Sequence, residues 1–141
     1  MLTENDIINA VCKYLESQGY SEISSKNTKQ QGIDIEATSP DGSKFYIEAK
    51  GETSSNPDSN RFGKPFNNNQ ALDHVAKATY TALKMNESKE SNAKIGIALP
   101  LEINHQKLIN PIKHTLKDLE ISIFWVDKNL KVTSEWLFMQ K

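Results

Sequence analysis

The feature that most limits the fold is a pair of alternating segments on either side of one short turn. Residues 33–38 and residues 44–50 each alternate apolar and polar side chains. A period of two is typical of a β-strand with one buried face. Between the segments, Pro40-Asp41-Gly42 predicts a tight turn, because proline presets φ and glycine accepts a positive φ. The sequence therefore predicts a β-hairpin.

The predicted hairpin brings three charged side chains together. Side chains two residues apart on a strand point to the same face, so Glu48 and Lys50 share one face, and the tight turn lets Asp34 face Glu48. Two carboxylates suit Mg²⁺, which proteins usually hold by one or two carboxylates with water and phosphate, and we expect Mn²⁺ to substitute. A nearby ammonium can orient a water molecule or stabilise charge on phosphorus. Asp34, Glu48 and Lys50 are therefore candidates for phosphodiester hydrolysis, although an ordinary solvated strand face shows the same alternation.

The remaining elements are predicted from periodicity and from cap and turn residues. Helices are expected over about Glu4–Gln18, Gln70–Met85 and Asn104–Leu119, the last interrupted at Pro111, and strands over Tyr20–Ser25, Ile95–Leu99 and Ile121–Val126. The segment Lys131–Phe138 fits either a strand or a short helix. Residues 94–126 are typical of a parallel strand–helix–strand crossover. The predicted fold is a single-domain α/β sandwich over residues 1–141, with a mixed central sheet flanked by helices.

Composition excludes several classes of protein. With 37% hydrophobic and 25% charged residues, the 141-residue chain is typical of a globular protein. There is no apolar run long enough to span a membrane, and the N-terminus is acidic, so we expect a cytoplasmic protein. The single cysteine excludes an internal disulfide, and the histidines lack zinc-ligand spacing. A net charge of −1 does not favour nucleic-acid binding by bulk charge, so any such role needs a local patch and a bound metal.

With this order of elements, Gly32, Asp34, Glu48 and Lys50 resemble the PD-(D/E)xK nuclease superfamily, in the manner of restriction-endonuclease-like and Mrr-like domains. The family pattern is a glycine or proline and an aspartate on one strand, followed after a hairpin by Glu-x-Lys on the next. The resemblance implies a restriction-endonuclease-like fold and metal-dependent cleavage of nucleic acid. It also implies a glutamine on the following helix, where Gln70 becomes a further catalytic candidate.

The chain departs from the family pattern on its first helix. Many members carry a glutamate there that supports the metal site, but the corresponding position falls near Ile8, which cannot ligate a metal. Glu4 or Asp6, about a turn earlier, are alternatives. Either acid would also suit the positive end of a helix without any catalytic role.

A long polar loop, residues 51–69, leads from the hairpin to the second helix, which carries a polar stripe. Basic side chains in the loop suit phosphate contacts. The stripe fits either a substrate-contacting surface or an ordinary exposed helix face. Our candidate substrate-binding residues are Arg61 and Lys64 in the loop and His74 and Lys77 in the stripe.

Three functions remain open at the level of sequence. The first is a DNA endonuclease, the second an RNA-cleaving, toxin-like nuclease of the same fold, and the third a non-catalytic nucleic-acid-binding or scaffold domain. We expect DNA rather than RNA as the partner. Sequence specificity would come from a homodimer or from a partner protein.

Overall fold

The computed structural model describes residues 1–26, 32–52 and 68–136. Its helices are α1 (Glu4–Ser17), α2 (Asn68–Ser88), α3 (Ile103–Ile109) and α4 (Lys113–Asp118), with a 3-10 turn at Asn110–Ile112 between the last two. Its strands are β1 (Ser21–Ser25), β2 (Ile35–Thr38), β3 (Lys44–Ala49), β4 (Lys94–Pro100), β5 (Ile121–Val126) and β6 (Val132–Glu135).

In the described part of the chain, six strands form one mixed sheet in the order β1-β2-β3-β4-β5-β6. The β1–β2, β2–β3 and β5–β6 pairs are antiparallel, whereas β3–β4 and β4–β5 are parallel. The carboxyl ends of β3, β4 and β5 therefore lie at the same edge of the sheet. The predicted α/β architecture, with a mixed sheet flanked by helices, and the predicted parallel crossover are both confirmed.

Each face of the sheet has its own hydrophobic core. On one face, α1 packs Ile7, Val11 and Leu15 against the sheet. On the other face, the core includes residues of α2, α3 and α4. All six residues of β5 are buried, because alternate side chains face the two cores. Full burial on both faces is expected for an interior strand of a sheet that is covered by helices on both sides.

The start of α1 follows the sequence signal. The Thr3 hydroxyl accepts a hydrogen bond from the backbone N–H of Asp6 at 3.1 Å, and the Asp6 carboxylate accepts one from the backbone N–H of Thr3 at 2.9 Å. This capping box satisfies N–H groups that a helix leaves without partners at its start. Ile8 is buried in the core, consistent with its inability to support a metal.

The predicted hairpin is present, and its turn has the expected geometry. The Gly42 N–H donates to the carbonyl of Ser39 at 2.9 Å, and Gly42 has a φ of +91°. Both strands are slightly shorter than predicted: β2 begins at Ile35, so Asp34 immediately precedes it, and β3 ends at Ala49, so Lys50 immediately follows it. Within the segment Lys131–Phe138, which fitted either a strand or a short helix, Val132–Glu135 is a strand that pairs with β5.

The helices differ from prediction mainly in length. Helix α2 extends over 21 residues, so it begins before and ends beyond the predicted Gln70–Met85. Its predicted apolar face is confirmed by the buried Ala71, Val75, Ala78 and Ala82. The third helix is divided at Pro111, as expected from a residue that cannot donate within a helix. None of the helices in the described ranges is long and apolar enough to cross a bilayer.

Candidate active site

The β2–β3 hairpin places two carboxyl groups beside each other. Ile35 pairs with Ile47, so Asp34 lies opposite Glu48 at the next antiparallel position. The Asp34 carboxylate accepts a hydrogen bond from the backbone N–H of Ala49 at 2.9 Å, which ties it to the end of β3. Its charge raises the pKa of Glu48, so the two carboxyl groups lie within electrostatic reach of each other. The arrangement expected from strand alternation is therefore present.

Glu48 is a nearly buried acid that lies beside the ammonium of Lys50. Its exposed fraction is 9%, and its Oε2 atom lies 3.5 Å from Lys50 Nζ. Burial raises the pKa of Glu48 from its ordinary 4.5 to about 7, the charge of Asp34 raises it too, and Lys50 acts in the opposite direction. Glu48 therefore exchanges its proton near neutral pH.

A third carboxyl group, that of Glu4 in the first turn of α1, joins this pair. Burial raises the pKa of Glu4 to about 7, with a further increase from Asp34 and an opposing effect from Lys50. Glu4 therefore lies within electrostatic reach of both residues. Asp6 instead completes the capping box of α1. Of the two acids that the sequence left as alternatives, Glu4 is the one placed beside the site, and we call Glu4, Asp34 and Glu48 the carboxylate cluster.

Gly51 accounts for the close approach of α1 to the end of β3. A Cβ atom at Gly51 would lie 2.5 Å from the backbone nitrogen of Glu4, closer than side chains tolerate. The Glu52 N–H donates to the carbonyl of Leu2 at 2.9 Å, and the Leu2 N–H donates to Glu52 Oε2 at 2.9 Å. The residues that follow β3 thus bind the start of α1 and hold Glu4 at the site.

Among the described residues, three acids lie near the ammonium of Lys50, so the carboxylate cluster has an excess of negative charge when it is ionised. A divalent cation would relieve that repulsion. Within residues 1–26, 32–52 and 68–136, however, no three His, Cys, Asp or Glu side chains converge closely enough to ligate one ion. The arrangement therefore offers carboxylate pairs rather than a complete protein cage.

On α2, the two stripe candidates differ in their surroundings. His74 is half-buried; burial lowers its pKa, and the charges of Lys50 and Lys77 lower it further against an opposing effect of Asp73. Lys77 is exposed and forms an ion pair with Asp73 at 3.1 Å. His74 is therefore close to Lys50, whereas Lys77 lies on the solvent side of the helix.

The remaining candidates from the sequence are Gln70, Arg61 and Lys64. Gln70 is half-buried in the first turn of α2. Arg61 and Lys64 lie outside the described residues. The roles assigned to these three residues therefore stay predictions.

Sequence reasoning missed a contact between a partly exposed acid and a buried histidine near the same edge of the sheet. The Glu102 carboxylate caps α3 by accepting a hydrogen bond from the His105 backbone N–H at 2.6 Å, and it also contacts His105 Nδ1. His105 is 1% exposed. The available signal was an acid at the helix N-cap with a histidine three residues later, a spacing that brings the two side chains together.

No family model matches this chain, and no curated protein matches it in sequence. An XisH family protein from Nostoc punctiforme PCC 73102 has a solved structure that matches with a TM-score of 0.56 and 14% identity, over 91% of this chain and 96% of that chain. The fold is similar to that of this XisH protein. An FdxN element excision controlling factor protein from Anabaena variabilis matches with a TM-score of 0.53 and 14% identity, over 92% of this chain and 96% of that chain. At these identities, the likeness to the XisH protein and the excision controlling factor concerns the fold alone.

Proposed function

We propose that this protein is a metal-dependent nuclease that hydrolyses phosphodiester bonds, with DNA as its preferred substrate. The observation that carries the proposal is the placement of the Lys50 ammonium beside the carboxylate cluster at the end of β3. The order of elements and the Asp34, Glu48 and Lys50 positions agree with the PD-(D/E)xK pattern. The proposal adds Glu4 as the acid from the first helix.

The donor chemistry of the site suits Mg²⁺ or Mn²⁺. Asp34 and Glu48 would hold the ion, since hard cations of this kind often take only one or two protein carboxylates and keep water or phosphate oxygens as further ligands. The absence of a three-residue ligand group among the described residues is compatible with such a site. When bound, the ion would supply polarisation of the phosphate and a lowered pKa for a water molecule.

The protein side chains have distinct roles in this proposal. Lys50 would orient the attacking water or stabilise negative charge on the phosphate, and its 3.5 Å contact with Glu48 keeps its ammonium at the site. Glu48 and Glu4 would change their protonation near neutral pH, since burial raises both pKa values to about 7. Gln70 would complete the site from α2.

Binding of the substrate would depend on local contacts, because the net charge of the chain is −1. Arg61 and Lys64 would contact the backbone of the nucleic acid, with His74 and Lys77 adding contacts from α2. The name of one structural neighbour refers to control of the excision of an element. We propose DNA over RNA on this basis, with a second copy of the chain or a partner protein supplying specificity.

A non-catalytic role is the second candidate. It is favoured by the lack of a three-residue ligand group in the described ranges and by the words "controlling factor" in the neighbour's name. In that case the protein would bind nucleic acid or a partner without cleaving it, and the Lys50–Glu48 contact would be an ordinary ion pair.

The test is cleavage of supercoiled DNA, linear DNA and RNA with Mg²⁺, Mn²⁺ or EDTA. The protein variants are wild type, Asp34→Asn and Lys50→Ala, with Glu36→Gln as the control for loss of one carboxylate from the same hairpin. Cleavage by wild type and Glu36→Gln only, and only with metal, is the expected result. Cleavage that survives in Asp34→Asn and Lys50→Ala would assign the activity to a contaminant, and no cleavage under any condition would favour the non-catalytic role.

A further inference from the structure

A row of apolar side chains lies on the outer surface of α2. The row consists of Leu72, Ala76, Thr79 and Leu83, which are spaced four, three and four residues apart. At about 3.6 residues per turn, these side chains fall within a sector of roughly 60° around the helix. Leu72 is 53% exposed and Leu83 is 41% exposed. Clustered apolar side chains with this exposure commonly mark a surface that another molecule covers. We call these four residues the apolar row.

The apolar row borders a concave surface. A groove of about 350 Å³ lies between α2, α3 and the 3-10 turn, and its lining includes the whole row together with Leu108 and Ile112. The Thr79 hydroxyl donates to the carbonyl of Val75 at 2.8 Å, so the polar atom of Thr79 has a partner within its own helix. Covering the groove would therefore not leave that hydroxyl without a hydrogen bond.

The apolar row reads the same from either end, which favours a second copy of this chain as the occupant of the groove. In a twofold interface the same surface meets itself, so its features must match when the direction of the helix is reversed. If two α2 helices lie antiparallel, Leu72 of one copy faces Leu83 of the other. In the middle of the row, Ala76 then faces Thr79, and these small residues allow the helices to approach closely. The four, three, four spacing is also typical of the apolar residues between two paired helices.

Charged residues beside the apolar row favour the antiparallel pairing over a parallel one. Asp73 and Lys84 are both exposed on the same flank of the row, and Lys84 Nζ lies 5.0 Å from the centre of the Tyr80 ring. In an antiparallel pair this flank meets itself in reverse, so Asp73 of each copy approaches Tyr80 and Lys84 of the other. In a parallel pair Asp73 would face Asp73 and Lys84 would face Lys84, and like charges would oppose association.

We propose that the apolar row is the contact between two copies of this chain in a symmetric dimer, with their α2 helices antiparallel. His74 lies on roughly the opposite side of α2 from the row, so the dimer contact leaves the proposed substrate side of the helix open. The contact does not depend on the nuclease chemistry proposed above. A single pair of helices makes a small interface, so we expect the dimer to dissociate at micromolar concentrations.

Sedimentation equilibrium, from low micromolar to several hundred micromolar protein, measures the dissociation constant of the dimer. Leu83→Gln removes an apolar contact, and Ala76→Glu places a charge in the middle of the apolar row. Leu119→Gln is the matched control, because Leu119 is 38% exposed, close to the 41% of Leu83, and it follows α4, outside the groove. Circular dichroism and thermal unfolding establish that each variant is folded.

A second set of variants tests the direction of the helices. Asp73→Lys and Lys84→Asp each place like charges together across the antiparallel pair, so each should raise the dissociation constant. The double variant brings opposite charges together again and should recover part of the lost affinity. Both positions are exposed, so these variants also test the contact if the substitutions in the row prevent folding.

We expect Leu83→Gln and Ala76→Glu to raise the dissociation constant by about 10- to 100-fold, because symmetry changes each contact twice. Leu119→Gln should resemble wild type. A wild-type chain that stays monomeric over the whole range would overturn the dimer and assign the groove to another occupant. A dimer that is weakened equally by Leu119→Gln, or that is unchanged in folded Leu83→Gln and Ala76→Glu, would place the contact elsewhere. A double charge variant no tighter than the single ones would refute the antiparallel pairing. None of these outcomes depends on cleavage, so the nuclease proposal is tested separately.

Discussion

Replacing Glu48 with glutamine should stabilise the metal-free protein at alkaline pH. The side-chain amide resembles a protonated carboxyl group in shape, but it cannot ionise. In wild type, burial and Asp34 disfavour the charged form of Glu48 and raise its pKa to about 7. Glutamine removes the cost of ionising this group inside the fold.

The direction of the pH dependence follows from proton linkage. Below the ordinary pKa of 4.5, the carboxyl group is protonated in both the folded and the unfolded chain. Between 4.5 and about 7, the unfolded chain releases this proton while the folded chain retains it, so the free energy of unfolding falls as the pH rises. Above about 7, the loss is complete. The advantage of Glu48→Gln should therefore grow across this window and then become constant.

The size of the effect has an upper limit. One pKa unit corresponds to about 1.4 kcal/mol, so a rise from 4.5 to about 7 gives at most about 3 kcal/mol. Solvent screening and the coupling of Glu48 to Asp34 reduce this to about 1–2 kcal/mol. For a chain of this length, the corresponding rise in Tm at pH 8.5 is about 3–8 °C.

The assay is thermal unfolding in EDTA between pH 4.5 and 8.5, followed by circular dichroism. Glu36→Gln controls for the loss of one negative charge from the same hairpin. The reasoning would be refuted if Glu48→Gln were destabilised by the same amount at every pH, or if its advantage declined as the pH rose. An equal alkaline gain in both variants would indicate a net-charge effect instead of a local one.

Three further predictions concern the site and its surroundings. Lys50→Ala should lower turnover by at least about 100-fold with little change in metal affinity, and a large drop in Tm would instead mark Lys50 as structural. Neutralising Arg61 and Lys64 together should weaken binding to all duplex sequences, measured in Ca²⁺. The slope of log binding constant against log salt concentration should become shallower by roughly two units. An unchanged slope would exclude the loop as the substrate contact. Gly51→Ala should lower the free energy of unfolding by about 1–3 kcal/mol, because the added Cβ atom would displace the start of α1 and Glu4. Unfolding by denaturant would measure the loss. An unchanged free energy of unfolding would contradict the close approach of Gly51 to α1.

The parts of the fold that could be predicted from sequence are those set by local patterns. The hairpin follows from two alternating segments and a turn in which Gly42 takes a positive φ. The start of α1 follows from the reciprocal capping of Thr3 and Asp6. The division of the third helix follows from the missing N–H of Pro111. In each case the cause lies within a few residues of its effect.

The parts that could not be predicted depend on contacts between distant segments. Glu4 and Asp6 are both acids in the first turn of α1, and only the approach of Gly51 to α1 brings Glu4 to the site. The burial of His105 could not be predicted from local spacing, because it depends on how α3 packs in the folded chain, where it contacts α2. β6 was ambiguous because a short terminal segment is defined by its pairing with β5, which local periodicity does not reveal.

The most direct test of the central claim is the position of a bound divalent ion. Crystals soaked in Mn²⁺ would be measured by anomalous diffraction, with crystals of Asp34→Asn treated in the same way. The account predicts an anomalous peak in contact with the carboxylates of Asp34 and Glu48 in wild type and a lost or weakened peak in the variant. A wild-type crystal with no peak at this site under saturating Mn²⁺, or with a peak only elsewhere, would contradict the proposed metal centre.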